Sequence, residues 1–82
     1  MTSSAAPLPD ARLIDLQATF ALTRSEAEVA LAMVRGASLR QIAEARGVSI
    51  NTVRNQVKSA MAKTATRRQI DLVLVVDRRM RG

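Results

Sequence analysis

Asn51, Thr52, Arg54, Asn55 and Lys58 recur at the three- and four-residue spacing that gathers side chains on one side of a helix. Their chemistry is that of base-edge recognition. Arg54 is a planar fork of donors that fits the O6 and N7 acceptors of guanine. Asn55 offers a donor and an acceptor to the N6 and N7 edge of adenine, and Lys58, one turn beyond Arg54, reaches a base or a phosphate. Thr52 and a helix start at Ser49 suit a phosphate oxygen. Each of these alone is ordinary polar surface, and the setting gives the set its meaning. No acidic residue lies between Glu44 and Asp71, whereas Arg46, Arg54, Lys58, Lys63, Arg67 and Arg68 all do. Ser38 and Arg40 extend the phosphate-binding candidates upstream, with Ser38 equally explained as a helix cap. Arg67 and Arg68 either grip the backbone or solubilise the helix they begin.

The residues that are missing exclude other chemistry. With no cysteine and no histidine, the chain has no disulfide framework, no thiolate and none of the usual zinc sets. No nucleophile and base can be paired, so an enzyme is not expected, nor is a metal or a cofactor. A formal charge of +6 on 82 residues favours a polyanionic partner, and double-stranded DNA leads the candidates. The longest wholly apolar run near the end, Leu72 to Val76, is too short for a bilayer, and residues 1 to 10 have no signal-peptide pattern. The expected setting is cytoplasmic, associated with the nucleoid through DNA and not with a membrane.

The elements that must position these side chains are legible from caps and stops. Phe20 is the only aromatic, so the core must come from Leu, Ile, Val, Ala and Met, which favours an all-α bundle over a sandwich. Residues 1–9 lack periodicity and read as a flexible leader, leaving 10–82 as the folded domain. Asp10 caps a short helix with Leu13, Ile14, Leu16 and Phe20 on its apolar side. Thr23 with Glu26, Ser38 with Gln41 and Thr66 with Gln69 fit the reciprocal capping box, and Ser49 with Thr52 is a simpler cap. Gly36 and Gly47 close the helices before them. Helices are predicted over 24–34, 39–45, 50–63 and 67–78. The first buries Val29, Ala30, Met33 and Val34 behind a Leu22 staple, and the second buries Leu39, Ile42 and Ala43. The third turns Ile50, Val53, Val57, Ala60 and Met61 inward and leaves Asn51, Thr52, Arg54, Asn55, Lys58 and Ala62 outside. Residues 38–63 thus form a helix-turn-helix with Val48 plugging the corner. Residues 70–76 are strand-like in composition, but without a partner strand they are expected to be helical.

From Leu22 to about Val76 the chain resembles the LuxR-type, or GerE-like, helix-turn-helix domain of bacterial transcriptional regulators. The resemblance runs through Leu22-Thr23, Glu26, Glu28-Val29, Gly36, Ser38, Ile42-Ala43, Gly47-Val48-Ser49, Asn51-Thr52-Val53-Arg54-Asn55, Lys58, Lys63 and Thr66-Arg67-Arg68-Gln69. It implies a compact four-helix domain, here with an extra N-terminal helix, whose third helix lies in the major groove and whose fourth often pairs two subunits. By matching position it makes Thr52, Arg54, Asn55, Gln56 and Lys58 the contacts to DNA. Arg24 stands where the family commonly has Pro, Gln41 for Glu, Gln56 for His, Thr64 for Leu and Ala65 for Gly. Gln41 can still cap; Gln56 alters the donor set and with it the preferred sequence.

The last helix is more apolar than a domain of this size needs. Leu72, Val73 and Val76 suffice to cap the core, which leaves Ile70, Leu74 and Val75 for a homodimer on an inverted repeat. The competing arrangement has the N-terminal helix cover that stripe within one subunit. Two other functions share parts of the pattern: region four of a sigma factor, with RNA polymerase as partner, and a helical adaptor built on a degenerate helix-turn-helix. A further helix after residue 63 argues against the first, and the intact donors Arg54, Asn55 and Lys58 argue against the second.

Overall fold

The computed structural model describes residues 10–82, all of whose regular structure is helical; the expected leader, 1–9, lies outside the described residues. The helices are α1 (Ala11–Phe20), α2 (Arg24–Val34), α3 (Leu39–Arg46), α4 (Ile50–Lys63) and α5 (Gln69–Arg81). Four of the five starts are set by the cap legible in the sequence. Asp10 accepts from Arg12 N at 2.9 Å, and Ser49 Oγ accepts from Thr52 N at 3.1 Å. The boxes at Thr23–Glu26 and Ser38–Gln41 each close in both directions. The turn from α3 to α4 depends on Gly47, whose φ of 68° lies in the left-handed region that a β-carbon disfavours.

α2 is the central element and touches the other four helices, while α3 packs on α4 and α1 reaches across to α5. Leu16, Leu22, Ala27, Val29, Ala30, Ile42, Ala43, Val53, Val57, Ala60, Leu72 and Val76 form one buried cluster. α1 is integral to it, because Leu16 is wholly buried and Asp15 takes both donors of Arg79 at 2.9 and 2.8 Å.

Several expectations need correction. The Thr66–Gln69 box does not form: α5 starts at Gln69 behind Arg68, with no side-chain cap, and runs on to Arg81. Thr66 instead closes the preceding helix. Ala65 adopts a left-handed φ of 57°, Thr66 N donates to Met61 O at 2.9 Å, and the Thr66 hydroxyl lies 2.9 Å from that of Thr64. Val48 does not plug the corner. Its N–H closes α3 onto Ala43 O at 3.0 Å, and its side chain stays exposed. Ile14 faces solvent, and Met33, Val34 and Leu39 only flank the core; Ala27 and Leu31 are the buried apolar residues of α2 that the pattern omitted.

Candidate nucleic-acid interface

α4 is amphipathic, and its polarity is set by which residues the bundle consumes. Val53, Val57 and Ala60 are buried against α2 and α3, and this turns Asn51, Thr52, Arg54, Asn55, Lys58 and Ala62 outward. Asn51, Arg54, Asn55, Lys58 and Ala62 follow the helical repeat along one stripe. Arg54 donates to Asn51 Oδ1 at 3.4 Å, which lays the guanidinium along the helix with its remaining donors free. At the start of α4 the Ser49 and Thr52 hydroxyls lie 3.0 Å apart and Thr52 N is already capped. The helix-terminal N–H groups of Ile50 and Asn51 therefore remain to receive an anion.

Charge pairing separates this surface from the rest of the molecule. Among the described residues, Arg12, Arg24, Arg46, Lys63, Arg68, Arg79 and Arg81 each have a carboxylate within 4.0 Å. The basic side chains without such a partner are Arg35, Arg40, Arg54, Lys58, Arg67 and Arg78. Four of these, Arg40, Arg54, Lys58 and Arg67, belong to α3, α4 or the turn that follows α4. Most of the positive charge available to a polyanion thus lies on the helix-turn-helix and the turn that follows it, although arginines are spread along the whole chain.

The remaining sequence candidates take other positions. Ser38 is occupied by its capping box. Arg68 is exposed but chelated by Asp71 at 3.0 and 3.1 Å, and its side-chain hydrogen bonds hold the Asp71 carboxyl below its usual range. Gln56 sits at the flank of the stripe, half-buried, with Oε1 enclosed and without a hydrogen-bond partner. Such an orphaned oxygen costs on the order of 1–3 kcal/mol, a cost that turning the amide out to water or to a base edge would relieve.

Lys63 is engaged within the fold. Its Nζ lies 2.8 Å from Glu26 Oε1, and Glu26 is 5% exposed. Burial pushes the Glu26 carboxyl up, but hydrogen bonds from Lys63, Ser59 and Thr23 N, with the Lys63 charge, outweigh it and hold the group at about 2. The sequence reading missed this pair, yet a signal was present. Lys63 follows Arg54 by nine residues, about two and a half helical turns, so the two point to opposite sides.

Of the residues considered for pairing two chains, Ile70 and Leu74 are 53% and 50% exposed and lie one turn apart on α5. Val75 is half-buried and lines a separate shallow concavity with Arg78, Arg79 and Gly82. α1 does not cover Ile70 or Leu74. Among the described residues no helix is long and apolar enough to cross a membrane.

A family model described as bacterial regulatory proteins of the luxR family matches residues 21–76. No curated protein and no solved structure matches the chain.

Proposed function

The chain belongs to the luxR family of bacterial regulatory proteins, a family of DNA-binding transcription regulators, and we propose that it reads specific duplex sequence with α4 in the major groove. The observation that carries this reading is the outer stripe of α4. Asn51, Arg54, Asn55 and Lys58 stand together on it, free of carboxylates, on a helix whose opposite side is locked into the core. Arg54 and Asn55 are the base readers; Lys58, Arg40 and Arg67 hold phosphates. Arg68 and Ser38, already engaged within the fold, add less. The protein acts by occupying a site, without catalysis. Selection of duplexes from a random pool tests the reading: it should return a defined motif, and recovery of no preferred sequence would overturn it.

The same reading includes a homodimer through α5. Among the described residues Ile70 and Leu74 form an aliphatic stripe that is half-exposed, and an isologous contact there sets two copies of α4 about 34 Å apart, one turn of DNA. An inverted repeat in the selected motif supports it. Sedimentation of the complex with and without Leu74→Glu is the direct check, and a 1:1 complex unaffected by the substitution would remove the dimer.

A further inference from the structure

The Glu26–Lys63 contact joins two helix ends. Glu26 is the third residue of α2, and Lys63 is the last of α4. One oxygen, Glu26 Oε1, accepts both from Thr23 N and from Lys63 Nζ, each at 2.8 Å. The atom that completes the cap of α2 is therefore also the anchor of α4. Ser59 of α4 adds a hydrogen bond to the same carboxylate, and the apolar residues that the two helices give to the shared core, among them Ala27, Ala30, Val53, Val57 and Ala60, attract without direction. Short, smooth side chains of this kind permit a helix small rolls and slides about its packed position. A charged hydrogen bond with one geometry does not.

Resting on the assignment of α4 as the reading helix, we propose that Glu26 and Lys63 are positioning residues that fix the roll and axial register of α4, and that Lys63 makes no contact with DNA. The spacing agrees. Lys63 lies on the side of α4 opposite Arg54, so the two cannot enter one groove together, whereas Lys58 follows Arg54 by four residues and can. Rolling α4 would carry Arg54 and Asn55 off their base edges while leaving exposed cations near the phosphates. Loss of the pair should therefore lower sequence discrimination and spare non-specific affinity, the reverse of losing a phosphate contact.

Lys58 and Lys63 are the only lysines in the chain, which makes the test direct. Amine acylation of the free protein, and of the protein on the duplex it selects, is followed at each lysine by mass spectrometry. Lys58 should react readily when free and be protected by the duplex. Lys63 should react slowly in both states and become reactive in Glu26→Gln. Binding of Glu26→Gln and Lys63→Met to the selected duplex should weaken at least about tenfold. Affinity for an unrelated duplex and the salt dependence should stay at the parent's values, and Lys63→Arg should restore most of the loss. Protection of Lys63 by the duplex, or a Lys63→Met protein that binds unrelated DNA more weakly with a salt slope reduced by about 0.9, would overturn the proposal. An unprotected Lys58 would overturn the reading of α4 on which it depends. The acylation pattern of the unaltered protein decides between these even where a variant does not fold.

Discussion

Raising salt is the perturbation that tests the division between free and neutralised cations. Each phosphate neutralised by a protein cation releases condensed counterions, so the logarithm of the binding constant falls linearly with the logarithm of salt, with a slope of about −0.9 per phosphate. Arg40, Arg54, Lys58 and Arg67 are the unpaired cations of the helix-turn-helix and the turn after α4. Arg54 is given to a base edge, so counting about three phosphates per protomer, for Arg40, Lys58 and Arg67, gives a slope near −2.7, and about −5.4 for two protomers on one duplex. Between about 50 and about 200 mM KCl the affinity should then fall about 40-fold for one protomer and about three orders of magnitude for a pair. Fluorescence anisotropy on the selected duplex across that range measures the slope. Lys58→Ala should make it shallower by about 0.9 per protomer. Arg79→Ala should leave it unchanged, because Arg79 is held by Asp15 across α1 and α5. A slope shallower than about −2 for the whole complex, or equal changes in the two variants, would refute the reasoning.

Arg54→Ala and Asn55→Ala should each cost about 1–3 kcal/mol on the selected duplex and relax the preference at one base pair, read by titrating duplexes substituted position by position. A uniform loss at all positions would instead make them phosphate contacts. Glu26 titrates at about 2 in the fold against an ordinary 4.5, so its ionisation contributes on the order of 3 kcal/mol that is complete above pH about 4.5 and lost as pH falls through about 2. Urea midpoints measured from pH 7 down to 2.5 should fall less steeply in Glu26→Gln than in the parent, and parallel curves would contradict the pairing of the buried Glu26 with Lys63. Ala65 holds a left-handed φ of 57° that strains a β-carbon. Ala65→Gly should therefore stabilise the fold by about 0.5–1 kcal/mol, the relief of strain less the entropy that glycine adds to the unfolded chain; a lower melting temperature would exclude this account.

What the sequence disclosed depended on how local each determinant is. Thr23, Ser38 and Ser49 act on partners three residues away, and Gly47 acts through its own dihedral angles, so these caps and stops, and the outward stripe of α4, were legible in full. Thr66 was ambiguous for a physical reason. A threonine between two helices can close the first or open the second, and the position of α5 decides, because Leu72 and Val76 must both reach the core. That requirement is tertiary. The pairs Glu26–Lys63 and Asp15–Arg79 join residues 37 and 64 positions apart and leave no local pattern. Lys63 accordingly looked like one more member of a basic run. Helical phase could have set it apart from Arg54, but only the fold identifies what it meets. The strand-like composition of 70–76 was correctly overruled, since a helix is the only arrangement that buries Leu72 and Val76 on one side without a partner strand.

The contribution of α1 bears on how this reading head could be moved to another protein. The stretch shared with the family begins at residue 21 and ends at residue 76, so a graft cut to those borders would leave out Leu16, Asp15 and Arg79. Leu16 shares the buried cluster with Leu72 and Val76, and deleting a buried leucine typically costs about 2–5 kcal/mol in a domain whose entire stability is about 5–15. The transplanted piece would keep the whole outer stripe of α4 and still be less stable, because α5 would have lost the helix that holds its far end. The portable unit is set by the core and not by the family pattern: it starts at the Asp10 cap and carries α5 through Arg79.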